Sequence, residues 1–337
     1  MTGRDRIQAL LAGETLDCLP LMPITMMFAT DILGKPYRDY VTDYRTLAEA
    51  QLCTADAFGL DFVSVISDPA REAADCGAEV EWFADQPPAI HPTNARIASP
   101  EVLATLETPD PLGGGRMTDR VRGVEALKTG VGDRRIVEGW IEGPCAEGAD
   151  LRGLQTLMMD FIERPDFVHA LFKFVTNLGL QFAKAQVDAG ADLIAIGDAA
   201  ASLVGPRYYA EYVWPYEKQL VDGIHDMGAY ARLHVCGNTT PLLPDIARLG
   251  CDIVDLDYMV SVAEARAVLG PDQVLLGNID PVAMLRNGTP DSILEQLAAC
   301  HEAAGPRYIV GAGCEVVRDT PHANVHVLRH YARSVTP

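Results

Sequence analysis

The chain has 337 residues, 48% of them apolar, and 27 basic against 47 acidic side chains give a net charge of −20. That charge argues against nucleic acid and against an anionic membrane surface as partners. No apolar run reaches the roughly 18 residues of a membrane-spanning helix. Eight cysteines scattered from Cys18 to Cys314, and no signal-peptide core after the charged first six residues, point to a reduced, cytoplasmic protein.

Residues 4–13 read as a helix stopped by Gly13. Residues 19–27 are apolar, contain Pro20 and Pro23, and read as a first strand with an irregular entry. Leu47, Ala50, Leu52, Ala55 and Phe58 carry a helical period over 44–58. Residues 62–66 read as a second strand ending at Ser67-Asp68-Pro69. From 75 to 98, short alternating pieces (78–83 and 89–92) flank Pro87-Pro88 and predict a hairpin excursion. Helical stretches at 100–107 and 119–129 enclose Gly113-Gly114-Gly115, which lacks strand-to-helix context and reads as a plain loop.

Further strands are predicted at 135–141, 191–196, 230–235, 252–256, 274–276 and 308–310. Helices are predicted at 165–189, 206–227, 240–249, 261–269, 290–303 and 320–333. Strands alternating with helices imply βαβ units and a parallel sheet. Eight strands over this length predict one α/β domain spanning 1–337, a single (β/α)8 TIM barrel with an N-terminal extension and the hairpin excursion. The absence of GxGxxG after the first strand weighs against a dinucleotide-binding fold.

In such barrels the C-terminal strand ends carry the chemistry. Here those ends hold Glu138 and Glu142, Asp198, His234 and Cys236, Asp255 and Asp257, Asn278 and Asp280, then Cys314 and Glu315. Residues i and i+2 of a strand share a face, roughly 6.5–7 Å apart along the chain, so His234 and Cys236 can reach one metal ion. Cys314 ends the last strand and offers a third soft ligand. One imidazole with two thiolates suits zinc and leaves a fourth position for chemistry. Asp257 is the first choice, and Asp255 the second, for that position before substrate arrives. Asp198, Asn278 and Asp280 are candidates for orienting substrate or fixing the His234 tautomer. Asp198 and Asp280 stand equally well as helix N-caps. Cys300 and His301 read as packing, Met26 and Met27 as core.

His234-Val235-Cys236-Gly237-Asn238, Gly277-Asn278-Ile279-Asp280-Pro281, Asn287-Gly288-Thr289-Pro290 and Gly313-Cys314-Glu315, with Thr320-Pro321 after them, resemble the uroporphyrinogen decarboxylase superfamily. Within it they resemble the methylcobamide:coenzyme M methyltransferase branch, best over residues 134–334. The resemblance implies a (β/α)8 barrel with zinc on His234, Cys236 and Cys314. It also implies a methylcorrinoid, carried by a small corrinoid-binding protein, as methyl donor. The acceptor would be a small thiol or tetrahydrofolate, and the apolar residues 24–28 would help cover the corrinoid. Porphyrinogen decarboxylases carry an arginine-rich N-terminal signature, whereas residues 20–36 here contain no arginine. A decarboxylase-like lyase and a non-catalytic corrinoid- or metal-binding barrel are the alternatives.

Overall fold

The computed structural model describes residues 1–91 and 94–335. Strands β1 (Phe62–Ser64), β4 (Ile136–Glu142), β5 (Leu193–Gly197), β6 (Tyr230–Val235), β7 (Ile253–Leu256), β8 (Val274–Leu276) and β9 (Tyr308–Ile309) form one seven-stranded sheet in that order. All pairings in it are parallel. The strands are buried almost throughout. That is why they read as continuous apolar runs and not as alternating ones: helices cover the outer face and side chains fill the inner one. The predicted hairpin is present as β2 (Val80–Glu81) and β3 (Ala89–Ile90), paired antiparallel. Pro92, in the second predicted piece, lies outside the described residues.

The predicted first strand, 19–27, forms no strand. It makes a single parallel bridge, Leu21 to Val310. Met22 N–H donates to Val310 O and Val310 N–H to Pro20 O, both at 2.9 Å, while Asp61 N–H donates to Leu21 O at 3.0 Å. Pro20 and Pro23 lack N–H donors, so the ladder cannot run further. At Met27 the chain turns helical, through Leu33. Three residues thus link the two outer strands of the sheet.

Asp61 fastens this seam. Its carboxylate accepts Leu21 N–H at 2.8 Å, Arg6 Nη1 at 2.6 Å and Arg333 Nη2 at 2.9 and 3.0 Å. It therefore ties the N-terminal helix Gly3–Ala12 and the C-terminal helix His322–Ser334 to the same point. Among the described residues, five α-helices have no counterpart among the predicted ones: Met27–Leu33, Tyr37–Thr42, Ala70–Asp75, Pro144–Arg152 and Leu154–Glu163. For Pro144–Arg152 the proline at the first turn was the available signal. The predicted helix 206–227 contains a π turn at Tyr209–Val213, and 240–249 shortens to Thr240–Leu242 and Leu243–Ile246. No helix of the described residues is long and apolar enough to cross a membrane.

Removing one partner of a buried charge network leaves the others unpaired, at a cost of roughly 3–5 kcal/mol. Asp61→Ala is expected to lose stability on that scale in urea unfolding. Asp17→Ala, which removes an exposed partner of Arg6, is expected to lose under about 1 kcal/mol.

Candidate metal centre and active site

The site begins with strand register. Gly197 of β5 pairs with His234 of β6, and His234 pairs with Asp255 of β7. His234 and Cys236 follow on one face of β6. Gly237 then turns the chain at φ 93°, a left-handed conformation that glycine adopts without strain. From the other side, a bridge between Ile279 and Ala312 carries the pairing beyond β9, and Gly313 N–H donates to Ile279 O at 2.9 Å. A Cβ at Gly313 would sit 2.2 Å from Tyr258 N. Only glycine permits this approach, which brings Cys314 in beside β7.

The result is a three-donor cluster. His234 Nε2 lies 3.2 Å from Cys236 Sγ, and Cys236 Sγ lies 3.9 Å from Cys314 Sγ. All three donor atoms fall within 4.8 Å of one another. Tetrahedral zinc, with bonds of about 2.1 Å to nitrogen and 2.3 Å to sulfur, sets its donors ~3.5–3.8 Å apart, so the cluster fits that ion. Among the described residues, no other group of three or more His, Cys, Asp or Glu side chains lies close enough to hold a metal.

Asp255 fixes the histidine. Its Oδ2 lies 2.9 Å from His234 Nδ1 and accepts Arg232 Nη2 at 2.6 Å. The other end of that guanidinium reaches Glu138 Oε1 at 2.7 Å. A carboxylate at Nδ1 leaves Nε2 facing the thiols, the arrangement of a metal-bound histidine and its supporting acid. Burial opposes a charged His234, but Asp255 outweighs it and lifts the imidazole to about 10. The two thiols titrate as a pair. A hydrogen bond from Cys236 pulls Cys314 down to about 5 against the effect of burial, with the His234 cation assisting. The same bond, together with burial, pushes Cys236 far up.

The sequence-predicted carboxylates divide differently. Asp257, first choice for the fourth ligand, stays outside the cluster; its Oδ1 accepts Met259 N–H at 2.8 Å in the turn after β7. Asp255, second choice, serves the histidine and not the metal position. Asn278 donates to Asp257 O at 2.9 Å and Val260 O at 2.6 Å, which fastens that turn and leaves no amide hydrogen for substrate. Asp280 caps Pro281–Arg286 by accepting Val282 and Ala283 N–H at 2.8 Å. Asp198 neither touches His234 with its side chain nor caps its own following turn. It accepts Ala146 N–H at 2.6 Å and Cys145 N–H at 3.3 Å, and so caps the neighbouring helix Pro144–Arg152. Hydrogen-bonding capacity that the backbone has taken up is not available to a substrate.

A cavity of about 180 Å³ opens on the three ligands. Ile24, Met26, Ile66 and Trp140 give it apolar walls, and Asp68, Arg71, Glu142 and Glu315 also line it. Met26 is therefore more than core filling. Glu315 sits beside Cys314 and accepts Met27 N–H at 2.8 Å, joining the start of helix Met27–Leu33 to the Cys314 loop; burial raises it to about 7. The sequence reading placed Glu142 and Glu315 at strand ends without roles, and it missed Arg71 as a site residue.

Two measurements check these assignments. Losing a supporting acid typically weakens a metal site by about 10–100-fold, so Asp255→Ala is expected to lower zinc affinity by that factor in chelator competition. Glu217 is buried against Asp198 and Tyr209, and burial raises it to about 7 although the bonds from Tyr209 and Asp198 act the other way. The unfolded chain releases that proton near ~4.3. The native state thus binds more protons between these values, and stability is lost as pH rises from about 4.3 through about 7. Urea midpoints should fall over that interval, and less steeply in Glu217→Gln.

A model of the uroporphyrinogen decarboxylase family matches residues 2–335. The methylcobamide:CoM methyltransferase of Methanosarcina mazei is 27% identical over 346 residues, covering 99% of this chain and 98% of its own. The uroporphyrinogen decarboxylase of Gloeobacter violaceus is 26% identical over 289 residues, 83% of this chain and 81% of its own. A solved methyltransferase from Methanosarcina mazei superposes with a TM-score of 0.90 at 24% identity, covering 99% and 98% of the two chains, and shares the fold. The protein belongs to the uroporphyrinogen decarboxylase family, and within it resembles the methylcobamide:CoM methyltransferase branch.

Proposed function

We propose that the protein is a zinc-dependent methyltransferase that moves a methyl group from a methylated corrinoid to a small thiol. The observation that carries the reading is the convergence of His234 Nε2, Cys236 Sγ and Cys314 Sγ within 4.8 Å at the floor of a mostly apolar cavity. Three protein donors leave one position open, and bound zinc would convert an added thiol to a thiolate, the nucleophilic form. Two sulfur donors cancel the charge of Zn²⁺, which keeps such a thiolate electron-rich. The reaction is attack of a sulfur lone pair on the methyl carbon. A C–S bond forms, the methyl–cobalt bond breaks with its electron pair left on cobalt, and the thiol proton leaves.

The chain's own residues set the conditions. Asp255, held by Arg232, keeps His234 turned with Nε2 toward the site. Ile24, Met26 and Trp140 keep water from the sulfur, which preserves its nucleophilicity. The donor corrinoid enters at the C-terminal ends of the strands, carried by a small corrinoid-binding protein in the cytoplasm. The short segment 20–22 serves as the eighth stave of a closed barrel, with residues 1–337 acting as one domain. The missing arginines over residues 20–36 favour methyl transfer over porphyrinogen decarboxylation.

Protein purified without chelators is expected to hold about one zinc per chain, as a three-ligand catalytic site requires. Cys314→Ala is expected to lose that zinc and, with it, thiol-dependent demethylation of methylcobalamin. Full activity in metal-free protein would overturn the reading.

A further inference from the structure

A second, larger cavity of about 660 Å³ lies beside the one at the metal ligands. Pro69, Glu142 and Ala199 line both, so Glu142 stands at the junction. Asp150 lines the second chamber. Glu72 and Glu147 lie close enough behind to raise or be raised by these two carboxyls. One cation serves the group, Arg71, which is fully buried. Its nitrogens are all committed: Nη1 to Asp68 O, Nη2 to Glu142 Oε1 at 2.7 Å, and Nε at 3.3 Å from Glu72 Oε2. The side chain of Asp68 is held by Arg116 at 2.7 Å on each oxygen. His91, on the wall of the second chamber, already has a partner.

The surplus is therefore of acceptors. Asp150 Oδ2, on the chamber wall, is buried without a hydrogen-bond partner, and behind it Glu147, which lines neither chamber and is only 2% exposed, has both oxygens unpartnered. Burying the Asp150 acceptor unpaired is unfavourable, and a ligand that supplies a donor removes that cost. Burial, with the neighbouring acids, lifts Glu142 to about 8 although Arg71 opposes it, and lifts Asp150 to about 7. Both carboxyls hold protons near neutrality and can release them to a cation. An anionic head would meet no uncommitted positive group in either chamber among the described residues, and would face these acids.

We propose that the second chamber binds the far end of the methyl acceptor, and that this end is a positively charged N–H donor such as an ammonium group. The acceptor is then an aminothiol-type molecule, in contrast to an anionic thiol such as a sulfonate. This rests on the thiol reading of the metal site.

The test uses three two-carbon thiols that differ only at the far end: 2-aminoethanethiol, 2-mercaptoethanol and 2-mercaptoethanesulfonate. Binding to the zinc-loaded full chain is followed by calorimetry at pH 7, in two buffers of different ionisation enthalpy. The expected order is cationic, then neutral, then anionic, with the cationic thiol about tenfold tighter than the neutral one and releasing additional protons. These thiols differ in intrinsic acidity, so the deciding quantity is the cationic-to-neutral ratio in wild type against Glu142→Gln. The substitution should collapse that ratio toward the intrinsic one. Asp150→Asn, on the chamber wall, should reduce it in the same direction and serves if the first variant folds poorly. Tightest binding by the sulfonate, or a ratio unchanged in both variants, overturns the proposal and leaves the thiol reading standing. Binding of none of the three overturns the thiol reading itself.

Discussion

A fully buried arginine organises the centre of this protein. Arg232 spans Glu138 on β4 and Asp255 on β7 from its own position on β6, at 2.7 and 2.6 Å. A guanidinium without water must be paired, and here the two acids that pair it lie on non-adjacent strands. Asp255 in turn faces His234 at 2.9 Å. The sheet cannot shift by one residue without separating a buried cation from its acids, so the requirement that holds the core in register also aims the His234 imidazole at the two thiols. Glu138 lies far from His234 in sequence, yet it is only three contacts away, through Arg232 and Asp255.

The seam of the sheet follows the same logic with less regular backbone. Residues 20–22 make too few ladder bonds to be a strand, and Asp61 supplies what the backbone does not, drawing Leu21, Arg6 and Arg333 to one carboxylate. The irregularity has a use. A full strand ending at residue 27 would continue past the cavity, whereas the break lets Ile24 and Met26 turn inward over the ligands and lets Met27 N–H meet Glu315.

Carboxyl groups therefore serve in two ways. Asp61, Asp68 and Asp255 are matched by arginines and act as structural anions. Glu142, Glu147 and Asp150 outnumber their one arginine and are pushed toward the neutral acid by burial. The first class explains how a chain of −20 charge keeps buried carboxylates in its core. The second lies beside the cavity lined by His234, Cys236 and Cys314, where an excess of buried acceptors bears on which ligand can enter.

Much of this was legible along the chain. The alternation of apolar strands with helices announced a parallel sheet, and the period-2 spacing of His234 and Cys236 announced a shared face. Cys314 at the last strand end completed the trio, and Asp280 as a cap followed from its place before Pro281. What the linear pattern could not decide was which acid meets which base. Asp255 near the end of β7 and Asp257 just beyond it stand two residues apart, and the sequence put Asp257 first; only the pairing of β6 with β7 sets Asp255 opposite His234 and leaves Asp257 to its turn. Likewise Asp198 caps a helix that precedes it by fifty residues, and Glu142 becomes the wall between two cavities because the loop at Pro69 packs across from it. Secondary structure and ligand spacing are local properties, set by side-chain period and backbone sterics. Cross-strand register, burial and the matching of buried charges arise only when distant segments pack, so only the tertiary structure settled them.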